Sequence, residues 1–188
     1  AAARAGVQRF VLASTVKVHG EASPPWRPLR AEDPYAPQDA YARISAISPV
    51  NAFVALPDPS AERAPLPFMD PAFAAAVCRY DLSGGSLKFS APVSPAYTSV
   101  SFYTRNGVAY YAINDRAAGR RVIELELMTH AQRAELPDDE DITAADRLIV
   151  ESPTPTGVIV LRALAAEPGM MALARASLSA AKCELQTQ

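Results

Sequence analysis

Residues Tyr97–Asp115 read YTSVSFYTRNGVAYYAIND, and this stretch decides the fold. Two runs rich in β-branched and aromatic residues, which favour strands, flank the dipeptide Asn106-Gly107. Asn-Gly is typical of a two-residue hairpin loop, because a type I′ turn needs a positive φ angle at both central residues. The sequence therefore predicts an antiparallel β-hairpin that turns at Asn106 and Gly107.

Side chains alternate between the two sides of a strand, so this hairpin has two different faces. With a two-residue loop, Phe102 pairs with Tyr111 and Tyr103 pairs with Tyr110. We predict that the apolar face packs in the core, and it carries Val100, Phe102, Tyr111 and Ile113. The opposite face meets solvent, a ligand or a partner protein, and it carries Ser99, Ser101, Tyr103, Arg105 and Tyr110.

Several other segments have strand or helix patterns. Residues 72–77 predict either a short helix or an approach to the sheet, and Pro168–Cys183 predicts an amphipathic helix. Together these patterns predict a β-rich α+β fold, with an antiparallel sheet or sandwich of about six strands and a C-terminal amphipathic helix. Besides the hairpin, the predicted strands are Arg79–Leu82, Ser86–Ser90, Arg121–Met128, Leu148–Glu151 and Val158–Ala163.

Length and composition limit the classes of protein to which the chain can belong. Its 188 residues, 49% of them apolar and 20% charged, are typical of a globular domain with a sizeable core. A formal net charge of -2 gives no electrostatic signal for a nucleic-acid partner. No run of about eighteen apolar residues occurs, so we predict no membrane span within this chain.

The chain has two cysteines, Cys78 and Cys183, and two histidines, His19 and His130. Their spacing does not match a zinc site, so we predict no bound metal. The two thiols could form one disulfide if the domain lies in an oxidising compartment. Two separate buried thiols are the alternative, and the sequence leaves both open.

Residues 9–21, RFVLASTVKVHGE, and residues 33–43, DPYAPQDAYAR, carry a resemblance of their own. They resemble the middle of an extended short-chain dehydrogenase/reductase, in the NAD-dependent sugar epimerase and dehydratase group. The resemblance implies that Thr15 polarises the substrate, that Tyr41 is the acid/base residue, and that NAD is the cofactor. Ser45 stands where that family has a lysine, whose charge would lower the pKa of the tyrosine.

The resemblance also lacks the glycine-rich turn that seats a dinucleotide pyrophosphate. We therefore interpret residues 1–38 as a dehydrogenase-like remnant with a proline-rich linker, and we predict no catalysis and no bound cofactor. The alternative is a fragment of an NAD-dependent sugar epimerase or dehydratase that is inactive for the same two reasons.

The larger part of the chain resembles a different group. The segments DAYARISAISPVNAFV (39–54), DPAFAAAVCRYDL (70–82) and SFYTRNGVAYYAINDR (101–116) carry this resemblance, as does AAKC (180–183). They resemble small bacterial membrane-anchored proteins related to the domain-of-unknown-function 1254 and 1214 families. The resemblance implies a β-rich domain at residues 39–188, without an assigned reaction. The pentapeptide DAYAR fits both families, so one interpretation is a fusion at that point.

In such proteins the domain usually follows an N-terminal transmembrane helix and faces the periplasm. This chain as given carries neither an anchor nor an export signal, so its localisation stays open. We predict a non-enzymatic binding or interaction domain of a bacterial envelope protein, with another envelope protein as its possible partner.

Overall fold

The computed structural model describes residues 40–59, 69–118, 121–136 and 148–186. The chain divides into two units between Gln38 and Asp39, and every described residue belongs to the second. The dehydrogenase-like segment, with Thr15, lies outside the described residues. Within the described ranges, no helix combines the length and the apolar character that a membrane crossing requires.

The described residues form nine strands and a few short helices. The strands are β1 (Phe53–Ala55), β2 (Phe73–Asp81), β3 (Ser86–Pro92), β4 (Thr98–Thr104), β5 (Ala109–Asn114), β6 (Val122–Thr129), β7 (Leu148–Ser152), β8 (Thr156–Leu164) and β9 (Lys182–Gln186). The helices are α1 (Ala40–Ile47), α2 (Asp115–Ala118), α3 (His130–Ala134) and α4 (Met171–Ser179), and a single 3₁₀ turn at Pro168–Met170 precedes α4.

The strands belong to two sheets that pack face to face. The first sheet has the order β1-β2-β8-β4-β5 and is antiparallel throughout. The second has the order β7-β6-β3-β9, and only its β6–β7 pair is parallel. The predicted β-rich α+β fold and its C-terminal helix are confirmed, and the structure adds strands beyond the predicted six or so.

The main core lies between the inner faces of the two sheets. Alternation along each strand separates core from exterior, because successive side chains point to opposite sides. On β6, Ile123, Leu125 and Leu127 point inward, as their spacing predicts. On β8, Ile159 and Leu161 belong to the same core and are fully buried.

Three phenylalanine rings interlock across the core. Phe89 on β3, in the second sheet, packs edge to face against Phe53 on β1 and Phe102 on β4, both in the first. The ring centroids are 5.7 Å and 6.1 Å apart. Each such pair contributes about 0.5–1.5 kcal/mol beyond the area that it buries, so the rings stabilise the contact between the two sheets.

A disulfide also joins the two sheets. Cys78 on β2 is bonded to Cys183 on β9, with their Cα atoms 6.6 Å apart and both residues buried. Of the two states that the sequence left open, the structure has the disulfide. The bond closes a loop across a separation of 105 residues, which in the chain-entropy model contributes about 4–5 kcal/mol to stability.

Two predicted helical segments differ from the structure. Of the two alternatives for residues 72–77, the short helix is wrong and these residues enter the sheet, because Phe73–Asp81 pairs along its whole length with β8. The C-terminal helix is shorter than predicted, since α4 ends at Ser179 and Lys182–Gln186 forms β9. In β9 Cys183 and Leu185 alternate with exposed residues, a period of two that suits a strand better than a helix.

Gly157 on β8 allows two strands to approach closely. A Cβ atom at this position would overlap the carbonyl oxygen of Tyr103 and the phenol of Tyr80. Neither neighbour can move freely, because the first belongs to the backbone of β4 and Tyr80 is fully buried. Glycine is therefore required here by space.

We expect Gly157→Ala to lower the free energy of unfolding by about 1–3 kcal/mol, the usual effect of overpacking a core. Gly169→Ala is the matched control, because a Cβ at Gly169 meets no atom within 4 Å. Urea unfolding of both variants measures the difference. Equal stabilities of the two variants would contradict the steric overlap of a Cβ atom at position 157 with Tyr80 and Tyr103.

Candidate functional site

A groove of about 190 Å³ lies on the outer face of the first sheet, beside α1. Its floor comes from Val158 and Val160, the outward residues of β8, and Ile44 of α1 forms an apolar wall. Tyr41 on α1 and Tyr103 on β4 also line the groove. These side chains give it a largely apolar surface with two aromatic rings.

Packing of α1 against the sheet makes this outer face partly apolar. Ile44 is 3% exposed and packs in a second, smaller core with Ala75, Val77, Val158 and Val160. These four strand residues occupy the positions between the inward residues of β2 and β8. The face that a sandwich would normally present to solvent is therefore covered at one place by a helix, and the groove runs beside it.

Arginines line the groove along with the apolar residues. Arg105, in the hairpin loop, places its guanidinium 5.5 Å from the centroid of the Tyr41 ring. This distance permits a cation–π interaction, which favours one position of an otherwise flexible side chain. Arg162 on β8 also lines the groove, and both arginines are exposed.

The elements around the groove carry more positive than negative charge. Asp81 is the only carboxylate in α1, β2, β4, β5 and β8. Hydrogen bonds from the hydroxyl and the backbone N–H of Ser83 lower its pKa, with a smaller effect from Arg79. The same elements and the hairpin loop carry four arginines, which are Arg43, Arg79, Arg105 and Arg162. None of the four forms an ion pair with another described residue.

Four of the five residues predicted for the hairpin's outer face are found there. Tyr103 and Arg105 line the groove, whereas Ser99 and Ser101 lie further along β4, opposite Arg162 and Val160. Tyr41, the acid/base residue in the dehydrogenase alternative, lies in the groove, and Ser45 donates a hydrogen bond to its backbone carbonyl.

Tyr110 does not lie on the predicted face. Gly107 has a φ of 78°, whereas Asn106 does not have the positive φ that a type I′ turn requires. The backbone N–H of Thr104 bonds to the carbonyl of Val108, so the loop has three residues instead of two. Tyr103 pairs with Ala109, and the resulting bulge turns Tyr110 towards the core.

Tyr110 joins a cluster of hydroxyl groups that the sequence did not reveal. Its hydroxyl lies 3.0 Å from the hydroxyl of Tyr80, which in turn lies 2.9 Å from that of Ser152. Ser152 also donates to the carbonyl of Thr154. Burial raises the pKa of Tyr110 well above its ordinary value, with a further contribution from Tyr80. In the sequence, only the alternation of residues along β2 indicated that Tyr80 points into the core.

A second cavity, of about 430 Å³, lies beside the disulfide. It is lined by residues 51–53 and Ala55 around β1, by Leu178 and Ser179 at the end of α4, and by residues 181–184 at the start of β9. Its lining is mixed polar and apolar, and the buried Cys183 forms part of it. Among the described residues, no group of three or more His, Cys, Asp or Glu could hold a metal ion.

Comparisons with known proteins show a matching family and solved structures with a similar fold. A family model described as "Protein of unknown function (DUF1254)" matches residues 50–184. No curated protein matches the chain. The crystal structure of the VPA0106 protein from Vibrio parahaemolyticus matches with a TM-score of 0.56 and 13% identity, over 79% of this chain and 34% of that chain. At that identity, the likeness shows a shared fold.

A putative uncharacterized protein from Burkholderia cenocepacia matches with a TM-score of 0.46 and 13% identity, over 77% of this chain and 36% of that chain. The chain thus spans about a third of the length of both structures. None of the matches supports the resemblance of residues 1–43 to the short-chain dehydrogenases.

The hydroxyl cluster predicts an alkaline loss of stability. An unfolded tyrosine loses its proton near pH 10, whereas folded Tyr110, with its raised pKa, keeps it. Its contribution to stability is therefore complete below about pH 10 and decreases above it, by up to about 1.4 kcal/mol per pH unit. We expect Tyr110→Phe to cost about 0.5–1.5 kcal/mol at pH 7 and to reduce the decrease above pH 10.

Urea unfolding at pH 7, 9 and 11 measures this effect. Tyr111→Phe is the matched control, because Tyr111 packs against the same Phe102 ring and its hydroxyl bonds to none of the described residues. A wild type and a Tyr110→Phe variant with parallel pH profiles would contradict the burial of this phenol.

Proposed function

The chain belongs to the DUF1254 family, and on that premise we propose that it is a non-enzymatic binding or interaction domain of a bacterial envelope protein. The groove beside α1 is the observation that carries the binding role. It combines an apolar floor with aromatic and cationic side chains, the composition typical of sites that hold a ligand. Tyr103 and Arg105, both predicted for binding, belong to it.

The disulfide between Cys78 and Cys183 supports the envelope location. Disulfides form and persist in oxidising compartments such as the bacterial periplasm, and they are rare in the reducing cytosol. A bond that links two sheets through the core is placed to stabilise the fold, since both sulfurs are shielded from solvent. An envelope partner and a periplasm-facing position remain parts of the proposal, because the chain spans about a third of the solved structures.

Binding to a neutral apolar probe tests the role of the groove. We expect N-phenyl-1-naphthylamine, an uncharged dye that fluoresces in apolar surroundings, to bind saturably at one site. Ala40→Trp places a large ring on a groove-lining position at the exposed start of α1, and it should weaken binding about tenfold. Fluorescence titration gives both dissociation constants.

Ala42→Trp is the matched control, because Ala42 is exposed on the same helix and does not line the groove. This variant should bind the dye as the wild type does. Absence of saturable binding, or equal affinity in both tryptophan variants, would contradict the groove as a binding site.

The dependence of stability on the disulfide tests whether the protein lies in an oxidising compartment. We expect the chain exported to a bacterial periplasm to contain no free thiol, and its reduced form to be less stable by about 2–5 kcal/mol. The measurements are maleimide labelling after denaturation and urea unfolding with and without reductant. The double variant Cys78→Ala/Cys183→Ala should be insensitive to reductant. If the reduced wild type is as stable as the oxidised one, the disulfide no longer argues for an oxidising compartment.

A further inference from the structure

Among the described residues, no carboxylate pairs with the two arginines of the groove. Arg105 and Arg162 both line it, and neither forms an ion pair with a described residue. Arginines elsewhere in the described residues do form ion pairs, as Arg175 does with Asp58 and Arg133 with Glu151. A guanidinium keeps its charge at any physiological pH, so both side chains present a positive charge to the groove at all times.

The positive charge is local to this face. The whole chain has a formal net charge of -2, so its composition does not explain a cationic groove. On the elements that surround the groove, the one carboxylate is Asp81, and it accepts two hydrogen bonds from Ser83. The charge that the described residues present to a ligand in the groove is therefore positive, which favours an anion.

The two arginines lie towards opposite ends of the groove. Thr104, next to Arg105, pairs with Gly157 at the start of β8, and Arg162 follows five residues later. Five residues of a strand span roughly 17 Å. Between these ends lie the apolar floor of Val158 and Val160 and the Tyr103 ring. An anionic group at either end would leave the rest of the ligand on apolar surface.

The size and the surface of the groove limit the ligand further. A volume of about 190 Å³ is below the roughly 300–1,000 Å³ of pockets that hold drug-sized ligands, so it suits one aromatic ring or a short alkyl chain. Removing charge from water beside apolar side chains is costly. A carboxylate carries one negative charge, whereas a phosphate monoester carries about 1.5 to 2 at neutral pH, so the carboxylate is the easier anion to place here.

We propose that this groove binds a small organic carboxylate with a compact apolar body, whose carboxylate pairs with Arg105 or Arg162. A planar carboxylate matches the planar guanidinium fork and can accept two parallel hydrogen bonds from it. The Tyr41 ring beneath Arg105 and the Tyr103 ring flank the apolar body. This inference rests on the proposed binding function and adds the chemical class of its ligand.

Displacement of N-phenyl-1-naphthylamine by matched compounds tests the proposal. We expect 3-phenylpropanoate to bind about tenfold tighter than its neutral amide, 3-phenylpropanamide, because one charged hydrogen-bonded pair is gained. The advantage should shrink between 50 and 500 mM NaCl, since salt screens exposed charges. The phosphate monoester 2-phenylethyl phosphate should bind no tighter than the carboxylate.

Arginine variants identify the contact. We expect at least one of two substitutions, Arg105→Gln or Arg162→Gln, to reduce the affinity advantage of the carboxylate over the amide to less than about threefold. Direct dye titration of each variant gives the dye affinity from which its carboxylate and amide affinities are calculated. Arg121→Gln is the matched control, because Arg121 is exposed just before β6 in the other sheet and does not line the groove. It should leave every affinity unchanged.

Each failure has a distinct meaning. Saturable dye binding with equal affinities for carboxylate and amide, or with a carboxylate advantage that survives in both arginine variants, overturns this inference and leaves the binding function standing. Tighter binding of the phosphate monoester overturns the choice of carboxylate. Absence of dye binding to the wild type removes the proposed function itself.

Discussion

The contact between the two sheets is the constraint on which the rest of the structure depends. A covalent bond joins β2 to β9, and three phenylalanine rings interlock between β1, β3 and β4. Because these ties fix which face of each sheet is internal, they also fix which residues remain outside. The groove exists because Val158, Val160 and Arg162 alternate with the inward residues of β8. Its lining thus follows from the packing of the core.

The hairpin shows how one backbone angle changes the chemistry of a surface. Its three-residue loop leaves Arg105 at the edge of the groove and introduces a bulge that turns Tyr110 inward. A β-bulge re-aims side chains in this manner, since two residues oppose one on the partner strand. The outer face keeps Tyr103 and Arg105 beside apolar residues. The interior gains the phenol of Tyr110, whose hydroxyl hydrogen-bonds to that of Tyr80, which in turn hydrogen-bonds to Ser152.

Much of the fold could be predicted because it depends on local alternation. Ile123, Leu125 and Leu127 have the period of a strand whatever their partners are, and the hairpin was found from Asn106-Gly107. The loop length was not predictable, because Asn-Gly also suits a three-residue loop with Gly107 at positive φ. The groove was predictable in part. The hairpin pattern placed Tyr103 and Arg105 outside, but Tyr41 and Arg162 join them only through tertiary packing, for which single-sequence patterns carry no signal.

The position of β9 has a consequence for how the molecule is made. This strand pairs with β3, whose residues are synthesised about a hundred positions earlier. Ribosomes add about 5–20 residues per second, so the edge of β3 stays unpaired for roughly 5–20 s until β9 is synthesised. Of the two cysteines in this sequence, only Cys78 has been synthesised during that interval. A chain that lacks Lys182–Gln186 would keep an open sheet edge and a lone thiol, so β9 decides whether translation yields a closed sandwich or a species prone to aggregate.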